Sequence, residues 1–203
     1  MAGWLPVTVR APVRKGETVL VLGATGTVGL VALQGARLLG AGRIVAAGRR
    51  PEALERARRL GADAVVSLDA EDLAEAFREA CGGEGPSLVI DPLWGEPVVA
   101  AARAAARGAR IVHIGQSAGP TAALLSADVR GTERNILGFS NLGTPREVMH
   151  REYLRLVEHA QAGELEVEIV TFPFDRAAEA WQRQASGAGA KVVVLVDTSG
   201  ARA

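Results

Sequence analysis

The run Thr18-Val-Leu-Val-Leu, followed at once by Gly23-Ala-Thr-Gly26-Thr-Val-Gly29, constrains the fold of this chain more than any other feature. A continuous apolar run of this length is what a strand buried on both faces looks like, as in parallel sheets covered by helices. After the glycines, Val28, Val31, Ala32 and Gly35 fall at the i, i+3, i+4, i+7 spacing of a helix. The segment therefore predicts strand, Gly-rich turn and helix in immediate succession. Small residues let a backbone approach a pyrophosphate, and the exposed N–H groups of a helix start favour an anion. Taken alone, the three glycines also fit a tight turn with packing glycines.

The rest of the chain repeats the alternation. Arg43-Ile-Val-Ala-Ala predicts a second strand, and Pro51 suits the first turn of a helix that Gly61 closes as its C′ residue. Ala64-Val-Val-Ser predicts a third strand. Asp69 can cap a helix whose apolar face is Leu73, Ala76, Phe77 and Ala80, ended by Gly82-Gly83. Ser87-Leu-Val-Ile, a helix from Pro97 to Ala106, and Arg110-Ile-Val-His-Ile complete β-α-β-α-β-α-β-α-β. That order predicts an α/β fold of Rossmann type, a doubly wound parallel sheet with right-handed crossovers. An irregular stretch, about 115–134, leads to a sixth strand, Asn135-Ile-Leu-Gly-Phe. Thr144-Pro-Arg-Glu reads as a capping box with Pro at N1, opening a helix through Tyr153, Leu156, Val157 and Ala160 that Gly163 ends. A strand near Val167–Phe172, a short helix from Asp175 and a strand Lys191–Val196 then break the alternation. The expected organisation is a dinucleotide-binding domain over 13–163 and a short C-terminal β-α-β tail over 164–203, possible as a separate layer.

Composition narrows the setting. With 203 residues, 48% hydrophobic and 23% charged, the chain can bury a core without membrane help, and no apolar run approaches a membrane span. Met1-Ala-Gly-Trp-Leu-Pro-Val has neither the basic nor the apolar region of a signal peptide. One cysteine, Cys81, excludes an internal disulfide and leaves too few thiols for a structural zinc site, which points to the cytoplasm and to no metal. Basic and acidic residues balance at 23 each, giving no electrostatic support for nucleic-acid binding.

Cofactor choice is expected at the end of the second strand, where NAD enzymes place Asp or Glu on the ribose 2′-OH. Gly48, Arg49 and Arg50 stand there instead. Absence of a carboxylate removes repulsion toward a 2′-phosphate, and guanidinium binds phosphate bidentately, so the pattern points to NADP(H). The bland reading is a solvated Arg pair at a helix start. Other candidates carry less. His113 lies in a core strand's pattern and reads as packed; His150 and His159 read as surface, and Cys81 as incidental. Tyr153 has Val157 rather than Lys four residues on and reads as core. Ser117 and Ser140 follow strands five and six, either as loop serines or as ligand contacts. No catalytic residue is assigned.

Val13-Arg-Lys-Gly-Glu-Thr-Val-Leu-Val-Leu-Gly-Ala, Leu60-Gly-Ala-Asp, Val89-Ile-Asp-Pro-Leu-Trp-Gly and Gly108-Ala-Arg-Ile-Val-His-Ile-Gly resemble medium-chain dehydrogenases/reductases, most nearly the zinc-independent quinone oxidoreductase type. Phe172-Pro-Phe-Asp-Arg-Ala-Ala-Glu-Ala-Trp and Ala190-Lys-Val-Val-Val-Leu-Val resemble that family's C-terminal end, so the likeness runs in order over about 13–197. The resemblance implies that Thr25, Gly26, Thr27 and Val28 contact pyrophosphate, and Gly48 to Arg50 the adenosine ribose phosphate. It implies that Pro92-Leu93, Gly115-Gln116 and Phe139-Ser140 line the nicotinamide side. It further implies NADPH-dependent hydride transfer to a small carbonyl compound or quinone, and a homodimer through the strand-six edge. Two positions depart from the family pattern: Leu68 stands where relatives often have Tyr, and Ala53 where they often have Lys. Relatives also carry an N-terminal barrel-like domain that this sequence lacks, so the expectation is cofactor binding with weak or no turnover alone. Two rivals stay open: a non-catalytic redox sensor of atypical short-chain type, and an interaction module for a separately encoded catalytic domain.

Overall fold

The computed structural model describes residues 1–187 and 189–196. Six strands, β1 (Thr18–Val21), β2 (Arg43–Gly48), β3 (Ala64–Ser67), β4 (Leu88–Asp91), β5 (Arg110–His113) and β6 (Asn135–Gly138), form one sheet in the order β3-β2-β1-β4-β5-β6. Every pair is parallel. The order reverses between β1 and β4, which makes that point the crevice where such sheets bind ligands. Helices α1 (Thr27–Leu38), α2 (Pro51–Arg59), α3 (Leu73–Ala80) and α4 (Gly95–Ala104) make the crossovers. A four-residue helix α5 (Ser126–Val129) lies in the expected irregular stretch, and α6 (Arg146–Gln161) follows β6.

The unbroken apolar runs have a simple cause: successive side chains enter opposite faces, and both faces are covered. Val19, Val21, Ile44, Ile90 and Val112 pack with Leu30, Leu33 and Ala36 of α1. Leu20, Leu22, Val45, Val89 and Ile111 pack with Phe77 of α3 and with Val98 and Ala101 of α4. Burying each such Leu or Ile is worth about 1.5–3 kcal/mol against leaving it exposed.

Local signals were followed unevenly. Pro51 opens α2 and Gly61, at φ +110°, follows its C-cap. The cap of α3 is Asp72, not Asp69: its carboxylate accepts the Glu75 N–H at 2.9 Å, while the Asp69 N–H donates to Ser67 Oγ. An N-cap stands directly before the first helical residue, two or three positions ahead of the N–H it satisfies, and α3 begins at Leu73. The capping box at Thr144 does not form either. Pro145 is the N-cap with no side-chain cap bond, and the Thr144 N–H is bonded to Asn141 O within the preceding turn.

Tyr153 is half-exposed rather than core, and Glu152 is the buried residue of α6. The reason lies in the N-terminal residues. Trp4 and Leu5 are fully buried ahead of a single wide turn, Pro6–Arg10, closed by the Ala11 N–H to Pro6 O at 3.0 Å. Trp4 Nε1 donates to Glu152 at 3.1 Å, and Gly35 of α1 leaves just the room that Trp4 and Val7 take. Burial works to raise the Glu152 pKa, but hydrogen bonds from Arg151, Trp4 and Arg155 and the charge of Arg155 outweigh it and hold the carboxyl below its ordinary range.

The chain divides into two compact units, Met1–Glu166 and a second beginning at Val167. Within the second, β7 (Ile169–Pro173) and β8 (Lys191–Leu195) pair in parallel and α7 (Ala177–Ala185) joins them. Ala180 of α7 is buried, while Ile169, Phe174 and Trp181 are exposed. Residues 197–203 of the expected tail lie outside the described residues. Among the described residues no helix is long and apolar enough to cross a membrane.

Candidate functional site

The turn after β1 is built by two glycines and kept open by a third. Gly23 takes φ +60°, and its Cα faces Leu93 and Pro92 so closely that a Cβ would lie 3.0 Å from Leu93 Cδ2. Gly29, in the first turn of α1, packs on the same backbone, where a Cβ would fall 2.5 Å from Gly23 O. Gly26 differs. It has φ −102°, which any residue adopts, and the nearest atom to a Cβ there is 3.7 Å away. The first-turn N–H groups of Thr27, Val28 and Gly29 have no acceptor within the helix and stand at its positive end.

On the β2 side, Gly48 ends the strand against Thr25 of the same turn: a Cβ on Gly48 would overlap the Thr25 methyl group and come within 3.2 Å of Leu54. Arg49 lines a cleft of about 330 Å³ with Leu68, Asp69, Leu73, Glu96, Pro97 and Ala118. Arg50 is the N-cap of α2 and does not line that cleft.

Across the switch point, a second cleft of about 440 Å³ is lined by His113, Ile114, Gly115, Gln116, Gly138, Phe139 and Ser140 at the carboxyl ends of β5 and β6. Four residues anticipated for the nicotinamide side, Gly115, Gln116, Phe139 and Ser140, thus share one cleft. Pro92 and Leu93 line neither cleft; both lie against Gly23, and the Pro92 carbonyl lies against Gly115. Ser117 donates to Pro92 O and so ties the loop after β5 to the loop after β4, while Ser140 Oγ accepts the Leu142 N–H within its own loop.

His113 is packed only in part: its side chain is 29% exposed and lines this second cleft. Its partner, Asp91, is fully buried, pairs with it in register across β4 and β5, and sits 3.2 Å from Nδ1. The other Asp91 oxygen accepts the N–H groups of Leu93 at 2.9 Å and Trp94 at 2.8 Å. Burial raises the Asp91 pKa; those donors and His113 pull against it. Trp94, whose ring centroid is 4.1 Å from that of His113, holds φ +57°, an uncommon conformation for a bulky residue. Sequence reasoning passed over Asp91, although an acid closing the apolar run Leu88-Val-Ile was a visible signal. His159 is not plain surface either, being bonded to Glu164 and set against Trp4. Among the described residues no three His, Cys, Asp or Glu side chains are grouped as metal ligands would be.

Residues 27–159 match the family model described as zinc-binding dehydrogenase. The chain belongs to the medium-chain dehydrogenase/reductase superfamily. Over 192 residues it is 31% identical to the mycoketide-CoA synthase of Mycobacterium tuberculosis, a match covering 93% of this chain and 5% of that protein. It is 33% identical over 115 residues to quinone oxidoreductase-like protein 2 of Bos taurus, covering 57% of this chain and 33% of that one. A mycobacterial protein solved in complex with NADPH superposes with TM-score 0.84 at 24% identity, over 96% of this chain and 62% of the other. The chain therefore spans only part of the length of these proteins. Fold and family together make it an oxidoreductase-type NAD(P)-binding domain of the superfamily.

Proposed function

We propose that this chain is the NADP(H)-binding domain of a zinc-independent, quinone oxidoreductase-like reductase that passes hydride to a small carbonyl compound or quinone. The observation that carries the reading is Gly26, the one glycine of the turn that the fold itself does not need, at the positive end of α1 beside the switch point. An open Cα at a helix N-terminus fits a diphosphate lying across it. Gly23, Thr25, Gly26, Thr27, Val28 and Gly29 hold that group; Gly48, Arg49 and Arg50 take the adenosine end, where a guanidinium and no carboxylate suit a 2′-phosphate. Gly115, Gln116, Phe139 and Ser140 take the nicotinamide half, together with Pro92 and Leu93. The bound cofactor supplies the hydride, and the protein's part is to position it and exclude competing reactions.

Titration of the folded protein with NADPH and NADH, read by tryptophan fluorescence, tests this. NADPH is expected to bind the more tightly, and a folded protein that binds neither overturns the reading. Weak or no turnover of quinones by this chain alone is part of the proposal, and steady turnover would remove only that part. The β6 edge, with Asn135 and Ile136 exposed and no further strand beside it among the described residues, suits pairing with a second copy. Residues 13–163 form the cofactor domain in this reading, and 164–203 complete a catalytic domain.

A second reading, a module serving a catalytic partner, is favoured by one observation: the matched stretch is a small share of a much longer synthase. Native mass measured with and without NADPH separates a self-contained dimer from a partner-dependent module.

A further inference from the structure

Asp91, Trp94 and His113 form a cluster that the cofactor-binding reading has not used. Asp91 divides its two oxygens between two tasks. Oδ1 accepts the N–H groups of Leu93 and Trp94 and so holds the turn in which Trp94 keeps its positive φ; Oδ2 faces Nδ1 of His113. A carboxylate only accepts, so the neutral imidazole must carry its proton on Nδ1 to make that bond. The other ring nitrogen, Nε2, is then a lone-pair acceptor on a side chain that lines the β5–β6 cleft. The ring lies against Trp94, its plane tilted by 41° to the indole, and is tethered to a fully buried group, so the acceptor is pre-oriented. A doubly wound sheet binds a dinucleotide as two mononucleotide halves, one on each side of the switch point. With the adenosine end on β2, the second half falls to β4, β5 and β6.

We propose that Asp91 fixes His113 in the Nδ1–H tautomer, and that Nε2 accepts a hydrogen bond from the nicotinamide half of a bound dinucleotide. The donor is an N–H of the carboxamide or an O–H of the ribose. His113 is thereby a ligand-selecting residue, and Asp91 its positioning residue. The inference rests on the dinucleotide-binding reading above.

The experiment is imidazole ¹⁵N–¹H NMR on the full chain at about pH 8, where an ordinary imidazole is neutral. The chain has only three histidines, and the signal lost in His113→Ala assigns the one that matters. The free protein is expected to show His113 protonated on Nδ1, and saturating NADP⁺ to shift its Nε2 resonance while that of exposed His150 stays. Asp91→Asn should move the proton. The Asn carbonyl stays with the Leu93 and Trp94 N–H groups, its NH₂ then faces His113 Nδ1, and Nε2 becomes the protonated nitrogen. NADP⁺ affinity should fall about tenfold in that variant, and similarly in His113→Ala, which leaves the buried carboxylate's turn contacts in place.

The nicotinic acid analogue of NADP⁺, whose carboxylate has no N–H, separates the two donors. Binding about tenfold weaker than NADP⁺ in the natural protein, with the gap closing in Asp91→Asn, identifies the carboxamide. Equal binding of both dinucleotides, with both shifting Nε2, identifies the ribose. A free protein protonated on Nε2 overturns the inference. So does an unmoved His113 while the backbone amides of Gly26 and Thr27 report binding. If those amides do not respond either, the dinucleotide reading itself has failed, and this inference with it.

Discussion

The methyl group of Thr25 occupies the space into which a side chain at Gly48 would grow. One residue belongs to the turn that would hold the diphosphate, the other to the strand end that would read the adenosine ribose, and neither can be enlarged independently. Gly48→Asp is therefore expected to cost about 1–3 kcal/mol of stability through overlap with Thr25 and Leu54, and to abolish tight NADPH binding. Adding Thr25→Ala should restore most of that stability and turn preference toward NADH. Denaturant midpoints and paired NADPH and NADH titrations of the single and double variants check both parts; NADH preference from Gly48→Asp alone would show that Thr25 does not matter.

Gly26 and Gly29 should separate binding from folding. An Ala at 26 meets nothing closer than 3.7 Å, so its cost is no more than about 1 kcal/mol, the ordinary difference between Gly and Ala at a helix N-cap. Its methyl group intrudes on the diphosphate, and NADPH affinity should drop by about tenfold or more, an effect of roughly 1.4 kcal/mol. Gly29→Ala instead drives a methyl group into Gly23 O and Ala24 Cα, at 2.5 and 2.7 Å, and should lower stability by about 2–3 kcal/mol. Equal thermal stability of the two variants would contradict this packing.

Glu152 gives the first unit a defined acid sensitivity. Its pKa is lowered in the folded state, so the stability it contributes is present above the unfolded carboxylate value of about 4.3 and is lost as pH falls through the lower folded value. Glu152→Gln keeps an acceptor for Trp4 Nε1 but loses the charge facing Arg151 and Arg155. Near pH 7 it should cost about 1–3 kcal/mol, and its urea midpoint should fall less steeply below about pH 4 than that of the natural protein. Parallel curves for the two proteins would mean that another carboxylate governs the acid limb.

Cys81 should be inert while the protein is folded. It is buried behind the end of α3, and burial pushes its thiol up to about 12, against a smaller downward pull from Arg43. A disulfide reagent at about pH 8 is expected to leave the native protein unmodified and to titrate one thiol on unfolding. Modification of the native state at the rate of a free thiol would contradict this burial.

Much of the fold was legible because parallel strands covered on both sides leave a continuous apolar run, and because Gly61, Gly82 and Gly163 mark helix ends through positive φ that other residues avoid. Caps were less legible. Asp69 and Asp72 both suit an N-cap by residue type, and only the registration of the first helical turn distinguishes them. For α6 the apolar pattern could not reveal the inward face, because a distant Trp4 draws the acid Glu152 inward and leaves Tyr153 to solvent.

The candidate site divides in the same way. The Gly-rich turn and the missing carboxylate at Gly48 are local, and their chemistry follows from residue type and order. Residue order by itself determined the alternating α/β architecture and the glycine cradle, because periodicity and glycine geometry are properties of neighbours in the chain. Tertiary structure alone decided that Thr25 fills the space at Gly48, that Pro92 packs against both Gly23 and Gly115, and that Asp91 holds His113 at the edge of one cleft. Those relations join residues 22 or more positions apart, brought together by strand order and register, which local pattern does not encode.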